Sequence, residues 1–157
     1  HAGDLDLIKD VVRETASAVD WVFFGMCPED LKGVVREFHP GIPLDQYAAK
    51  LASLDLDLAV APLEHNAFNE AKSHLRLLEY GVLGYPVICT DIVPYQGDFP
   101  VTRVANRFRD WTRAILDAVA EPAALRAQGD ALRAKVQSEW MLEDHLDDWL
   151  AAWTHRG

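Results

Sequence analysis

The sequence predicts an α/β fold, a doubly wound parallel sheet of Rossmann-like type, and three observations carry that prediction. Short and largely apolar runs at residues 21–24, 56–63 and 86–90 read as strands buried on both faces. Helical patterns separate them, with Leu5, Ile8, Val11 and Val12 ahead of the first run and an amphipathic stretch over residues 44–54 ahead of the second. Turn signals lie between, in His39-Pro40-Gly41-Ile42-Pro43 and in Gly84 followed by Pro86. Strands that alternate with helices form a parallel sheet covered on both faces.

The elements follow in order. Asp4 is placed to cap the first helix, and Trp21-Val22-Phe23-Phe24 forms a strand ending at Gly25. Residues 34–38 are a second strand candidate, and residues 39–43 a loop. A helix over 44–54 leads to the strand at 56–63, with Asp57 at its entry. After a polar loop, a helix runs from about Lys72 to Leu83 and stops at Gly84, before the strand at 86–90. Residues 101–104 make a last short strand. From about Arg107 the chain is helical to its end, with Pro122 in a first-turn position.

The 157 residues make one domain, long enough to bury about two thirds of the surface that the unfolded chain exposes. Half of the residues are hydrophobic and a quarter charged, which is globular composition. The net charge of -10 argues against a nucleic-acid partner, since phosphate contacts require a basic face. A small anion would need a local positive site at a helix N-terminus. Cys27 and Cys89 show no CxxC or disulfide spacing, which fits a reducing, cytoplasmic compartment. The six histidines have no metal-ligand spacing, so no metal site is expected. No run of about 18 apolar residues is present, so no membrane span is expected. The start at His1 without Met points to a piece of something longer.

Parallel sheets bind ligands at the carboxyl ends of their strands, so the segments after Phe24, Leu63 and Thr90 are the places to examine. The chemistry concentrates after Leu63. If the helix begins at Lys72, then Lys72, Leu75, Glu79 and Leu83 share one stripe, and Glu79 sits beside the apolar face. A carboxylate there needs a partner. Lys72 is two turns away, about 10 Å of rise, which is too far for a direct pair. One option is that both hold a nucleotide diphosphate, with phosphates at the helix N-terminus beside Lys72 and a ribose diol at Glu79. The other is that Glu79 reaches a backbone N–H or an arginine while Lys72 is solvated.

Leu58-Ala59-Val60-Ala61-Pro62-Leu63, Phe68-Asn69, Lys72-Ser73, Leu78-Glu79-Tyr80-Gly81 and Gly84-Tyr85-Pro86-Val87-Ile88 together resemble a known donor-site segment. It is that of retaining glycosyltransferases of the GT-B fold, group 1 family, in the branch of bacterial O-antigen and polysaccharide biosynthesis. The strong part covers about 35 residues, and weaker similarity extends over the chain. The resemblance implies the donor-binding, C-terminal half of such an enzyme, recognising a UDP- or GDP-sugar for transfer to a glycan or lipid-linked acceptor. It implies that Glu79 binds the donor ribose and that Lys72, Ser73, His74 and Leu75 contact the diphosphate, with Asn69 beside them. Lys72 is then the catalytic group, stabilising the leaving diphosphate without an obligatory metal or other cofactor.

The resemblance further implies an N-terminal acceptor domain as a partner, a strand preceding His1, and a chain that binds without turning over by itself. The full-length protein would lie in the cytoplasm, peripheral to the inner membrane. One departure stands out. Relatives carry a sugar-binding glutamate in a Glu-Gly-Phe-Gly stretch, where this chain has Ala71-Lys72-Ser73-His74.

Gly25 ends a strand where a nucleobase-side loop is expected, and it can equally be turn geometry. Trp140, Leu142, Leu146, Trp149, Leu150 and Trp153 place apolar surface on the last helices. In GT-B enzymes the last helix returns to the other domain, so part of this surface is expected to be exposed or bound to a partner. A nicotinamide-dependent oxidoreductase would need a GxGxxG, and none is present. A receiver-type domain would need clustered aspartates, and Asp91 stands alone. A non-catalytic interaction domain that keeps the fold and has lost the donor site is the remaining alternative.

Overall fold

The computed structural model describes residues 2–154. Its helices are α1 (Ala2–Asp6), α2 (Lys9–Thr15), α3 (Leu44–Ala52), α4 (Ala67–Glu70), α5 (Leu75–Leu83), α6 (Phe108–Ala120), α7 (Pro122–Glu139) and α8 (Leu146–Thr154). The strands are β1 (Val22–Gly25), β2 (Glu37–Pro40), β3 (Ala59–Ala61), β4 (Val87–Thr90) and β5 (Thr102–Val104). Every pairing is parallel: β1 with β2 in one small sheet, and β3-β4-β5 in a second with β4 in the middle. This is an α/β architecture compatible with a Rossmann-like fold.

Helices cover both faces. On one side Leu51 of α3, Leu77 of α5 and Leu132 and Val136 of α7 pack with Ala59, Ala61, Val87 and Cys89. On the other, Val11 and Val12 of α2 and Trp111 and Ile115 of α6 pack with Phe23, Ile88 and Val104. Alternate residues of β4 therefore face opposite layers, as a pleated strand requires. β1 obeys the same rule, with Phe23 in the second layer and Phe24 packed against the first. The two sheets thus share both helical layers, yet β1 and β3 have no pairing with each other.

Several boundaries differ from those the sequence predicts. Asp4 lies inside α1 instead of ahead of it; it is buried, and the predicted single helix breaks in two around Leu7 and Ile8. The second strand is β2 at Glu37–Pro40, so His39 and Pro40 belong to a strand and not to a loop. Residues 34 and 35 are held in a turn instead, both donating to the Leu31 carbonyl, because buried Leu31 anchors the 3-10 turn at Glu29–Leu31. The strand expected over 56–63 shrinks to Ala59–Ala61.

Other expectations hold. Gly84 ends α5 with φ +77°, in the left-handed region that glycine enters without steric cost, and its N–H donates to the Gly81 carbonyl at 2.8 Å. Pro122 opens α7, β4 and β5 lie where expected, and the helical region runs through Thr154. Residues 155–157 lie outside the described residues. No helix among the described residues is long and apolar enough to cross a membrane.

Candidate functional site

The carboxyl ends of β3, β4 and β5 are tied by a polar network that sequence reading missed. Buried Thr90 accepts from the Leu63 N–H at 2.8 Å and donates to Asn106 Oδ1 at 2.9 Å. Asn106 Nδ2 closes the ring by donating to the Leu63 carbonyl at 2.7 Å. These bonds satisfy the backbone where β3 stops, and they fix the origin of the loop that carries the predicted site. No periodicity signals them, since Thr90 ends an apolar strand, Asn106 lies in the connection after β5, and Leu63 takes part through its backbone.

The loop is then anchored by Asp4. Its Oδ1 accepts from the Glu64 N–H at 2.9 Å and from Asn69 Nδ2 at 2.8 Å. Asn69 also donates to the Glu64 carbonyl at 2.8 Å, and Asn66 caps α4 by accepting from the Asn69 N–H at 2.8 Å. Asn69 is 3% exposed with both amide hydrogens engaged in the fold, so it shapes the loop rather than facing a ligand.

Lys72 lies in the connection between α4 and α5, not on the helix, so the predicted stripe from Lys72 to Leu83 does not form. Its Nζ stands 3.7 Å from Asp4 Oδ2 and 5.1 Å from the centre of the Phe68 ring. It is paired, with its side chain 24% exposed. A cavity of about 280 Å³ opens here, lined by Asp4, Glu64, Phe68, Asn69 and Lys72 among others. Two carboxylates against one lysine make this cavity an unfavourable place for a diphosphate. A larger groove of about 420 Å³, lined by residues of α6 and α7 such as Arg113, Asp117 and Gln128, contains none of the predicted site residues.

The first turn of α5 is where the remaining predicted anion contacts fall. Helix formation starts at Leu75, whose N–H donates to Ser73 Oγ at 3.4 Å, and the Leu75 side chain is exposed. His74 occupies the N-cap position without a capping bond. Its ring packs against Phe99 at 5.2 Å and edge-on against Trp140 at 4.4 Å, which turns it toward the C-terminal helices.

Glu79 lies one turn into α5 and is held by an arginine, as one of the two sequence options has it, and by a tyrosine that sequence reading missed. Tyr47 of α3 donates its hydroxyl to Glu79 Oε2 at 3.2 Å, and Arg76 Nη1 lies 3.2 Å from the same oxygen. Arg76 also donates to the Tyr47 hydroxyl at 2.8 Å and stands over the Tyr80 ring at 5.7 Å. The spacing of Arg76 and Glu79 at i, i+3 was a legible signal for the pair; Tyr47, 32 positions away, had none. Burial pushes the Tyr47 phenol above its ordinary value, with Arg76 opposing and Glu79 adding to the rise, so it stays protonated as a donor.

Tyr47 in turn stacks on Phe24, with centroids 5.4 Å apart and planes at 12°. Phe24 immediately precedes Gly25, which is exposed with φ +90° and has open space where a side chain would begin. The predicted residues therefore fall into separate groups. Gly25 and Glu79 are joined through Phe24 and Tyr47; Ser73 and Leu75 stand at the start of the same helix as Glu79; Asn69 and Lys72 gather around Asp4; His74 turns elsewhere.

Among the described residues no group of three or more His, Cys, Asp or Glu side chains is arranged to hold a metal ion. Cys89 is buried and its thiol is pushed up to about 12 by burial, so it is no nucleophile. Comparison of the chain with protein-family models, with curated proteins and with solved structures finds no match in any of the three.

Proposed function

We propose that this chain is a donor-binding domain for a nucleoside-diphosphate sugar, the C-terminal half of a GT-B type glycosyltransferase. The observation that carries this is the row Gly25, Phe24, Tyr47, Glu79, which joins the carboxyl end of β1 to a carboxylate on α5. A nucleoside fits such a row, with its base beside the exposed Gly25 backbone and its ribose hydroxyls donating to Glu79. The phosphates then meet the first turn of α5, near Ser73 and Leu75, where the helix dipole favours negative charge. Lys72 contributes only after leaving Asp4, so its electrostatic role in departure of the diphosphate is conditional on that exchange. Transfer itself falls to an acceptor domain outside this chain.

A second reading has its own support. Lys72 is committed to Asp4, and α8 exposes Leu146, Trp149, Leu150 and Trp153, by 85% for Trp153. Both suit an interaction domain that keeps the fold without binding a donor. Calorimetric titration of UDP, GDP and their sugars separates the two. Binding at micromolar to low-millimolar concentration, weakened about tenfold or more by Glu79→Ala, supports the donor site, and absence of binding by any nucleotide supports the interaction domain.

A further inference from the structure

Both contacts to the Glu79 carboxylate fall on one oxygen, Oε2, which receives Tyr47 and Arg76. Among the described residues Oε1 has no hydrogen bond. The carboxylate is thus anchored by one oxygen and open at the other, with its side chain 25% exposed. A free glutamate side chain has rotamer freedom that is lost when it orders around a ligand. Anchoring it in advance removes most of that cost.

We infer that Tyr47 and Arg76 are positioning residues that fix Oε1 of Glu79 to accept a ribose hydroxyl, and so set a preference for ribonucleotides over deoxynucleotides. The inference rests on the donor-site proposal and deepens it. Tyr47 is well placed for the task. Its ring is clamped against Phe24, its hydroxyl accepts from Arg76 at 2.8 Å, and its proton is thereby left to point at Glu79. Arg76 neutralises the carboxylate only partly, because its guanidinium is shared with the Tyr47 hydroxyl and the Tyr80 face. Glu79 therefore keeps enough charge to accept strongly, and a hydroxyl donating to a carboxylate forms the stronger type of hydrogen bond.

The test is to titrate UDP and GDP, and their 2′,3′-dideoxy counterparts, against the unaltered chain and against Tyr47→Phe. The variant keeps the stack on Phe24 and removes only the hydroxyl. The unaltered chain is expected to prefer the ribonucleotide by about tenfold or more, as loss of a hydrogen bond to a charged group implies. Tyr47→Phe is expected to reduce that preference to about threefold or less, with the unfolding midpoint little changed. Full preference retained in Tyr47→Phe overturns the positioning role. Equal binding of ribo- and dideoxynucleotides by the unaltered chain overturns Oε1 as the acceptor while nucleotide binding stands. Failure of every nucleotide to bind overturns the donor-site proposal itself.

Discussion

Asp4 and Asn69 meet across 65 positions of sequence, the Asp4 carboxylate accepting from the Asn69 amide at 2.8 Å. The same oxygen takes the Glu64 N–H, so one buried side chain on α1 holds both ends of the turn that begins the candidate site. Asp4→Ala leaves a buried donor on Asn69 and a partly buried one at the Glu64 N–H without this partner. A loss of about 3 kcal/mol in unfolding free energy is expected, as the cost of unsatisfied buried groups implies. Urea unfolding measures it, and a loss below about 1 kcal/mol contradicts the anchoring role.

Gly129 on α7 packs directly on the turn at Gly84. A Cβ at position 129 would stand 2.2 Å from the Gly84 carbonyl oxygen and 3.0 Å from Pro86 Cδ. Backbone and a proline ring cannot give way as a flexible side chain does, so Gly129→Ala is expected to cost about 3 kcal/mol despite the better helix propensity of alanine. A neutral or stabilising effect in thermal unfolding would show that α7 sits differently on α5.

β1 and β3 share two helical layers but are unpaired with each other, and that has a measurable consequence. Ala59 donates to the Pro86 carbonyl at 2.9 Å, so by alternation the neighbouring Val60 amide points away from β4. In amide hydrogen exchange Val60 is expected to lose protection well before Ile88, which lies in the central strand. Equal protection of the two amides contradicts an unpaired β3 edge.

The fold was more legible than the site. Apolar runs at β1 and β4 and the glycine stop at Gly84 follow from local rules, and the structure keeps them. β2 was misplaced by three residues because Leu31, a single buried residue, captured residues 34 and 35 into a turn. Treating residues 72–83 as one helix put Lys72 on the same stripe as Glu79. The chain instead forms the short α4 capped by Asn66 and restarts at Leu75. Tyr47 and Asp4 reach their partners through tertiary packing at separations of 32 to 65 positions, which no local pattern encodes.

The cysteines differ in reach. Cys89 is fully buried in β4 with its thiol pushed up to about 12 by burial, whereas Cys27 is half-buried and donates weakly to the Pro28 carbonyl at 3.5 Å. Because the raised value keeps Cys89 a thiol well above neutrality, a thiol reagent at about pH 8 is expected to modify one site per folded chain. Cys27→Ser is expected to abolish that reaction. Two rapid equivalents in the native protein contradict the burial of Cys89.

The central claim is that Glu79 is a ligand group and not merely the partner of Tyr47 and Arg76. Calorimetric titration of UDP- and GDP-sugars against the unaltered chain and against Glu79→Ala and Lys72→Ala measures this most directly. Loss of one charged contact implies about tenfold or greater weakening for Glu79→Ala. A smaller change is expected for Lys72→Ala, because Lys72 must first leave Asp4. Nucleotide binding that is equally strong in Glu79→Ala, or absent from the unaltered chain, contradicts the claim.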